Sequence, residues 1–235
     1  MRVGLFVPCY IDQFYPQVAI ATLELLEKLG CEVVVPRNQT CCGQPMANSG
    51  FASLTGGCDQ NFARNFAEFD YIVSPSGSCV LHVKEHNHLL KGQIYELCEF
   101  LTDVLHVSSL NARFPHKVGL HQSCHGHRGL RLASMSERNE KPFSKVEQLL
   151  NMVSGLEVAV PNRPDECCGF GGTFCVTEEA VSVKMGKDRI REQLNNNVEY
   201  IIGGDVSCLM HLEGILRRQS SPVQVKHIAE ILNAD

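Results

Sequence analysis

Glu166-Cys167-Cys168-Gly169-Phe170-Gly171-Gly172-Thr173-Phe174 has an earlier counterpart in Thr40-Cys41-Cys42-Gly43-Gln44-Pro45. Neighbouring side chains on an extended strand point to opposite faces, so adjacent cysteines reach a common partner only where the backbone turns. A glycine directly behind them supplies that turn, because it adopts positive φ without steric cost. Each tripeptide therefore reads as two thiolates presented from one tight turn. Its repetition suggests that the chain is built twice.

Working outward, residues 2–8 read as a buried strand ending at Cys9, and a helix follows over 16–29, stopped by Gly30. A strand over 32–36 leads into the first Cys-Cys-Gly. A helix over 57–68 and a strand over 71–73 come next. The strand runs into Ser74-Pro75-Ser76-Gly77-Ser78-Cys79, where another helix is expected to begin at Cys79 with Ser78 as its N-cap. The second half repeats this order. A strand over 117–122 ends at Cys124, a helix lies near 142–154, and a strand over 156–161 leads into Cys167. A long helix over 177–195 precedes a strand over 200–202, which runs into Ser207-Cys208 and a further helix. A strand over 223–226 and a short helix over 228–232 close the chain.

Between the single cysteine and the pair lie 31 residues in the first half and 42 in the second; between the pair and the last cysteine lie 36 and 39. Alternating strands and helices imply an α/β fold: two pseudo-symmetric parallel βαβ halves, with metal sites at the carboxyl ends of the strands. The boundary is expected within 107–115, giving domains 1–112 and 113–235.

The totals narrow the chemistry. The chain has 235 residues, 44% hydrophobic and 20% charged, with a net charge of -5. That balance argues against a nucleic-acid or anionic-membrane surface. No apolar run approaches the roughly 20 residues of a membrane span, and the start lacks a signal-peptide pattern. A cytoplasmic protein is expected. In that reducing setting the 12 cysteines point to metal or redox chemistry rather than disulfides. A free cysteine also packs as a small hydrophobe, which is the reading for Cys31, Cys58 and Cys98.

The remaining pattern gives four candidate ligands per half: Cys9, Cys41, Cys42 and Cys79, then Cys124, Cys167, Cys168 and Cys208. Four thiolates suit zinc or an iron–sulfur cluster. Zinc sites usually draw ligands in pairs two to four residues apart, whereas these pairs are adjacent and the other ligands distant. That favours a larger multi-metal object, an iron–sulfur cluster, one per half at most; zinc stays open as the alternative. The last cysteine of each half recurs as Ser-Cys-x-x-His, so His82 and His211 fall on the same helix face as their cysteines and are further candidate ligands, or packing residues. His125 and His127 are candidate proton handlers, and Cys175 a candidate extra thiol. Arg128, Arg131 and Arg163 are candidates for a substrate carboxylate. Gly169-Phe170-Gly171-Gly172 lacks both the dinucleotide and the P-loop spacing. A metal centre with no hydride acceptor of its own points to electron relay.

These blocks resemble the cysteine-rich domain found in heterodisulfide reductase and in the iron–sulfur component of glycolate oxidase. A closer resemblance is to the lactate-utilisation protein A family. It rests on Leu23-Glu24-Leu25-Leu26-Glu27-Lys28-Leu29-Gly30-Cys31-Glu32-Val33, Cys41-Cys42-Gly43-Gln44-Pro45 and Ser74-Pro75-Ser76-Gly77-Ser78-Cys79. It continues in Cys167-Cys168-Gly169-Phe170-Gly171-Gly172-Thr173-Phe174, Cys208-Leu209-Met210 and His227-Ile228-Ala229-Glu230-Ile231-Leu232-Asn233. The resemblance implies a bacterial cytoplasmic component of a three-protein system that oxidises L-lactate to pyruvate, acting beside a larger iron–sulfur protein and a third subunit. In the heterodisulfide relative it implies a non-cubane [4Fe–4S] cluster held by five cysteines; here the fifth position is His82 or His211. Cluster-dependent disulfide reduction and a zinc-stabilised scaffold are the competing readings.

Overall fold

Val3-Gly4-Leu5-Phe6 and Val118-Gly119-Leu120-His121 are counterparts, each lying the same distance ahead of a single cysteine. Each forms an inner strand of a sheet, and the two sheets repeat one plan. The computed structural model describes residues 1–87, 90–159 and 161–235, which divide into two compact units, Met1–His106 and Val107–Asp235.

The first unit runs β1 (Arg2–Leu5), α1 (Cys9–Phe14), α2 (Pro16–Lys28), β2 (Glu32–Val34), α3 (Gln44–Met46), α4 (Gly56–Phe66), β3 (Tyr71–Ser74), α5 (Gly77–His86), β4 (Ile94–Glu96) and α6 (Leu97–Asp103). Its strands are all parallel in the order β2-β1-β3-β4. The second unit runs β5 (Lys117–His121), α7 (Lys145–Leu150), β6 (Glu157–Ala159), α8 (Phe174–Thr177), α9 (Glu179–Leu194), β7 (Tyr200–Gly203), α10 (Val206–Arg218), β8 (Gln224–His227) and α11 (Ile228–Leu232). Its order, β6-β5-β7-β8, is again all parallel. The register repeats as well: Val3 pairs with Val33 and Gly4 with Ile72, as Val118 pairs with Val158 and Gly119 with Ile201. The fold is α/β with two similar halves, and the motif cysteines gather beyond the carboxyl ends of the strands.

Several boundaries differ from expectation for local reasons. β1 stops at Leu5 and Cys9 opens α1 rather than ending a strand, since Pro8 has no N–H to extend a ladder. α5 begins at Gly77, not Cys79, because Ser76 rather than Ser78 is the cap and accepts from the Cys79 amide. The long helix expected over 177–195 breaks at Glu178, whose φ of -122° and ψ of 46° separate α8 from α9. The helix near 142–154 is one short segment, Lys145–Leu150, capped by Ser144. Of the strand over 156–161, Glu157–Ala159 is ordered as β6, and Val160 lies outside the described residues. β4 and α6 have no counterpart in the sequence reading. Among the described residues, no helix is long and apolar enough to cross a membrane.

Each sheet has its own core. In the first half, Phe6 meets Phe62 and Phe66 edge-on at centroid distances of 5.1 and 5.7 Å, and Phe62 stacks on Phe66 at 4.7 Å. Such ring pairs contribute about 0.5–1.5 kcal/mol beyond their area burial. In the second half, the matching space holds His121, Arg189 and Gln193, all buried. The strand glycines set the approach of the covering helices: a Cβ on Gly119 would overlap the Gln193 amide, and one on Gly4 would lie 2.9 Å from the Phe69 ring.

Candidate metal centres

Four sulfurs converge in each half by the same construction. The single cysteine enters on the segment after the first strand: Cys9 at the start of α1, Cys124 just ahead of a π-helical turn over His125–Gly129. The adjacent pair sits on a turn closed by glycine in the left-handed region, Gly43 at φ 94° and Gly169 at φ 89°. That turn aims the amide of Gly43 at Cys41 Sγ (3.4 Å) and that of Gly169 at Cys167 Sγ (3.3 Å). The fourth cysteine is the third residue of a helix, Cys79 of α5 and Cys208 of α10.

The sulfurs are in contact. Cys9 donates to Cys41 at 3.7 Å, and Cys42 is hydrogen-bonded with both Cys41 and Cys79. The second half repeats this, with Cys167 contacting Cys124 and Cys168, and Cys168 contacting Cys208. Cys41 accepts from Cys42 and Cys9, which pulls its thiol down to about 2; Cys167 accepts from Cys124 and Cys168 and falls likewise to about 2. Their neighbours move the other way, because each holds a proton shared with a thiolate and is partly desolvated. Thiols packed this closely hinder one another's deprotonation, and a cation among them relieves that repulsion. A soft-ligand metal is such a cation, and binding one would expel the remaining protons. The donor set therefore fits a thiolate-bound metal or cluster.

Loop positioning differs between the halves. The first uses a neutral amide: Gln39 accepts from the Val7 amide at 2.7 Å and donates to the carbonyls of Leu5 and Pro36 at 3.3 and 3.0 Å. The second uses Arg189, which has no exposed surface. It pairs with Glu192 at 2.9 Å and donates to the carbonyls of Leu120 (3.2 Å), Arg163 (2.5 Å) and Pro164 (3.5 Å). Leu5 and Leu120 are equivalent positions, so each tether fixes the loop before a Cys-Cys-Gly to the end of the same inner strand.

The histidines divide. His82 is buried on α5 with no hydrogen-bond partner for Nε2 among the described residues, and burial, followed by the neighbouring His86, lowers its pKa. His211 lies on α10 with Nε2 3.3 Å from the Ser182 carbonyl oxygen, and the ring also hydrogen-bonds the Cys168 backbone. His127 spends Nε2 on the Ser134 carbonyl, tying down the following loop. His125 falls in the turn after Cys124 and is half-buried. His121 was not singled out by the sequence reading. It is 1% exposed, and one of its ring nitrogens and the sulfurs of Cys168 and Cys208 all lie within 4.8 Å of one another. Burial, reinforced by Arg189, pushes it down to about 3, so its imidazole is neutral. The available signal was its place three residues before Cys124.

The arginines each meet a carboxylate of their own half: Arg128 with Glu137 and Asp165, Arg131 with Glu140, Arg163 with Glu166. Cys175 donates to the Gly172 carbonyl at 3.0 Å. Cys31 and Cys98 are core residues, whereas Cys58 is only half-buried. Cys58 lies beside Gly43, where an added Cβ would come within 3.4 Å of it.

Residues 3–84 and 118–213 each match the cysteine-rich CCG domain, so the two quartets are two copies of one domain type. The chain is 40% identical to lactate utilization protein A of Geobacillus thermodenitrificans, covering 99% of each chain. It is also 40% identical to lactate utilization protein A of Bacillus pumilus over the whole of both. It belongs to the lactate utilization protein A family. Among solved structures, a hypothetical protein from Helicobacter pylori superposes with a TM-score of 0.67 at 12% identity, over 98% of this chain and 48% of that one. That likeness concerns the fold alone, and the chain spans about half the length of the Helicobacter pylori protein.

Proposed function

We propose that the protein is an iron–sulfur subunit of a cytoplasmic complex that oxidises L-lactate to pyruvate, with one cluster of the [4Fe–4S] kind in each of domains 1–112 and 113–235. The observation that carries this reading is the repeated sulfur quartet, built each time from a glycine-turned Cys-Cys pair, a cysteine after the first strand and a cysteine in the first turn of a helix. Cys9, Cys41, Cys42 and Cys79 would hold the first group; Cys124, Cys167, Cys168 and Cys208 would hold the second. Such a cluster supplies one-electron redox chemistry in a site without its own hydride acceptor. The chain's own residues shape that chemistry. The amides of Gly43 and Gly169 stabilise charge on Cys41 and Cys167, and α5 and α10 carry Cys79 and Cys208 in their first turns. The family membership supports the lactate substrate, and a larger iron–sulfur protein and a third subunit are the partners it suggests.

Iron, zinc and acid-labile sulfide per chain, with a visible spectrum of anaerobically purified protein, test this reading. Brown protein with more than four irons and matching sulfide per chain, about the content of more than one [4Fe–4S] cluster, supports it with both halves loaded. Colourless protein holding zinc and refusing cluster reconstitution would sink it in favour of a scaffold. Reduction of a disulfide by the reduced protein would instead favour the heterodisulfide-type activity.

A further inference from the structure

We propose that His121 is a metal ligand of the second half, where it joins Cys168 and Cys208 in a mixed imidazole–thiolate site at a position that offers no donor in the first half. The inference rests on the metal-binding reading above and assigns a specific nitrogen donor to it. Three observations carry it. Among the described residues, His121, Cys168 and Cys208 are the one group of three such donors whose ligand atoms all lie within 4.8 Å of one another. Both ring nitrogens of His121 lack a hydrogen-bond partner among the described residues, although the side chain is almost fully buried. A buried imidazole with neither nitrogen satisfied is costly unless something at the site uses it. The equivalent residue of the first half is Phe6, which fills its space with ring contacts and has no donor atom.

The histidine three residues after Cys208 is not equivalent. His211 holds Nε2 against the carbonyl oxygen of Ser182 at 3.3 Å, which requires a proton on that nitrogen, and also bonds the Cys168 backbone. Its ring is therefore a brace between α9, α10 and the Cys-Cys-Gly loop. His121 brings a neutral donor, which suits iron and zinc alike. The two halves would then hold non-equivalent centres, the second with a nitrogen donor at a position where the first has the Phe6 ring.

The test uses the full chain, purified anaerobically, with Cys42→Ala removing the first-half site so that only second-half metal is read. Nitrogen-15 labelling of histidine and pulsed electron paramagnetic resonance detect a directly bonded nitrogen on a paramagnetic cluster, and X-ray absorption detects it on zinc. Directly bonded nitrogen is expected in the Cys42→Ala protein, lost on adding His121→Phe and retained on adding His211→Phe. Metal affinity should fall by about 10–100-fold or more with His121→Phe, since even outer-sphere losses have that size. His121→Asn, which keeps a polar side chain in place, guards against misfolding, and the labelled parent needs no His121 variant at all. All-sulfur coordination, or nitrogen coupling too weak for a direct bond, would overturn the assignment while leaving a cluster-bearing protein intact. Zinc bound through His121 would uphold the assignment while overturning the iron–sulfur reading. A chain that binds no metal would overturn both.

Discussion

Phe6 and His121 occupy the same place at the carboxyl end of an inner strand, and the two halves diverge around them. The first half packs Phe6 against Phe62 and Phe66 and tethers its loop with the neutral amide of Gln39. The second sets the charged Arg189 near His121, pairs Arg189 with buried Glu192 and has Gln193 donate to the Leu120 carbonyl. One sheet plan thus supports an apolar and a charged interior beneath the same four sulfurs. Strand order and cysteine placement depend on backbone geometry, which both halves share. What lies under the sulfurs is left free to change.

The largest test of that contrast is Arg189→Met. Removing one member of a buried ion pair typically costs about 3–5 kcal/mol, and here it also releases the carbonyls of Leu120, Arg163 and Pro164. Hydrogen exchange should show the loss confined to 107–235, and adding Glu192→Leu should recover only the part due to the uncompensated charge, since the three carbonyls and the Arg163 amide stay unpaired. Equal loosening of both halves would break the picture of independent cores.

Next come the glycines of the two turns. Gly43→Ala and Gly169→Ala each force alanine into the left-handed region, at about 1–2 kcal/mol. The added Cβ lies 3.2 Å from the Thr55 side chain in the first half, but 2.7 Å from both the Ser182 carbonyl and Met185 in the second. Overpacking adds about 1–3 kcal/mol, so Gly169→Ala should be the more damaging in denaturant titrations followed separately in each half.

Phe6→His should destabilise the first half by about 1–3 kcal/mol by burying an unpartnered polar group. The resolved unfolding of that half, read by exchange, would check it, and an unchanged stability would show that the aromatic cluster tolerates polarity. The smallest expected effect concerns the helix caps. Glu96 accepts from the amides of Cys98 and Glu99 at 2.7 and 3.2 Å, while His227 Nδ1 accepts from Ala229 at 3.1 Å. Alanine at either position should cost about 0.5–2 kcal/mol. Exchange at the Cys98, Glu99 and Ala229 amides would read each loss.

The parallel halves and the rim of cysteines were legible because period, strand–cysteine order and the repeated tripeptide all agreed. β4 escaped because Ile94-Tyr95-Glu96 is too short to show a period, and α6 because its cap is glutamate rather than serine or threonine. The start of α5 was misplaced because Ser76 and Ser78 are equally good cap residues in sequence, and only the bond from the Cys79 amide chooses between them. His121 was hidden for a different reason. Its partners Cys168 and Cys208 lie on other loops, so their proximity is a property of the folded sheet rather than of spacing. Arg189 went unmarked for the same reason, because the carbonyls it bonds, on Leu120, Arg163 and Pro164, are distant in sequence.

Because each sheet closes over its own core, damage is compartmentalised. Oxidation of one sulfur quartet, or mutational drift beneath it, leaves the other half its own strands, tether and caps. Substitutions beneath one quartet therefore need not disturb the strands, tether and caps of the other.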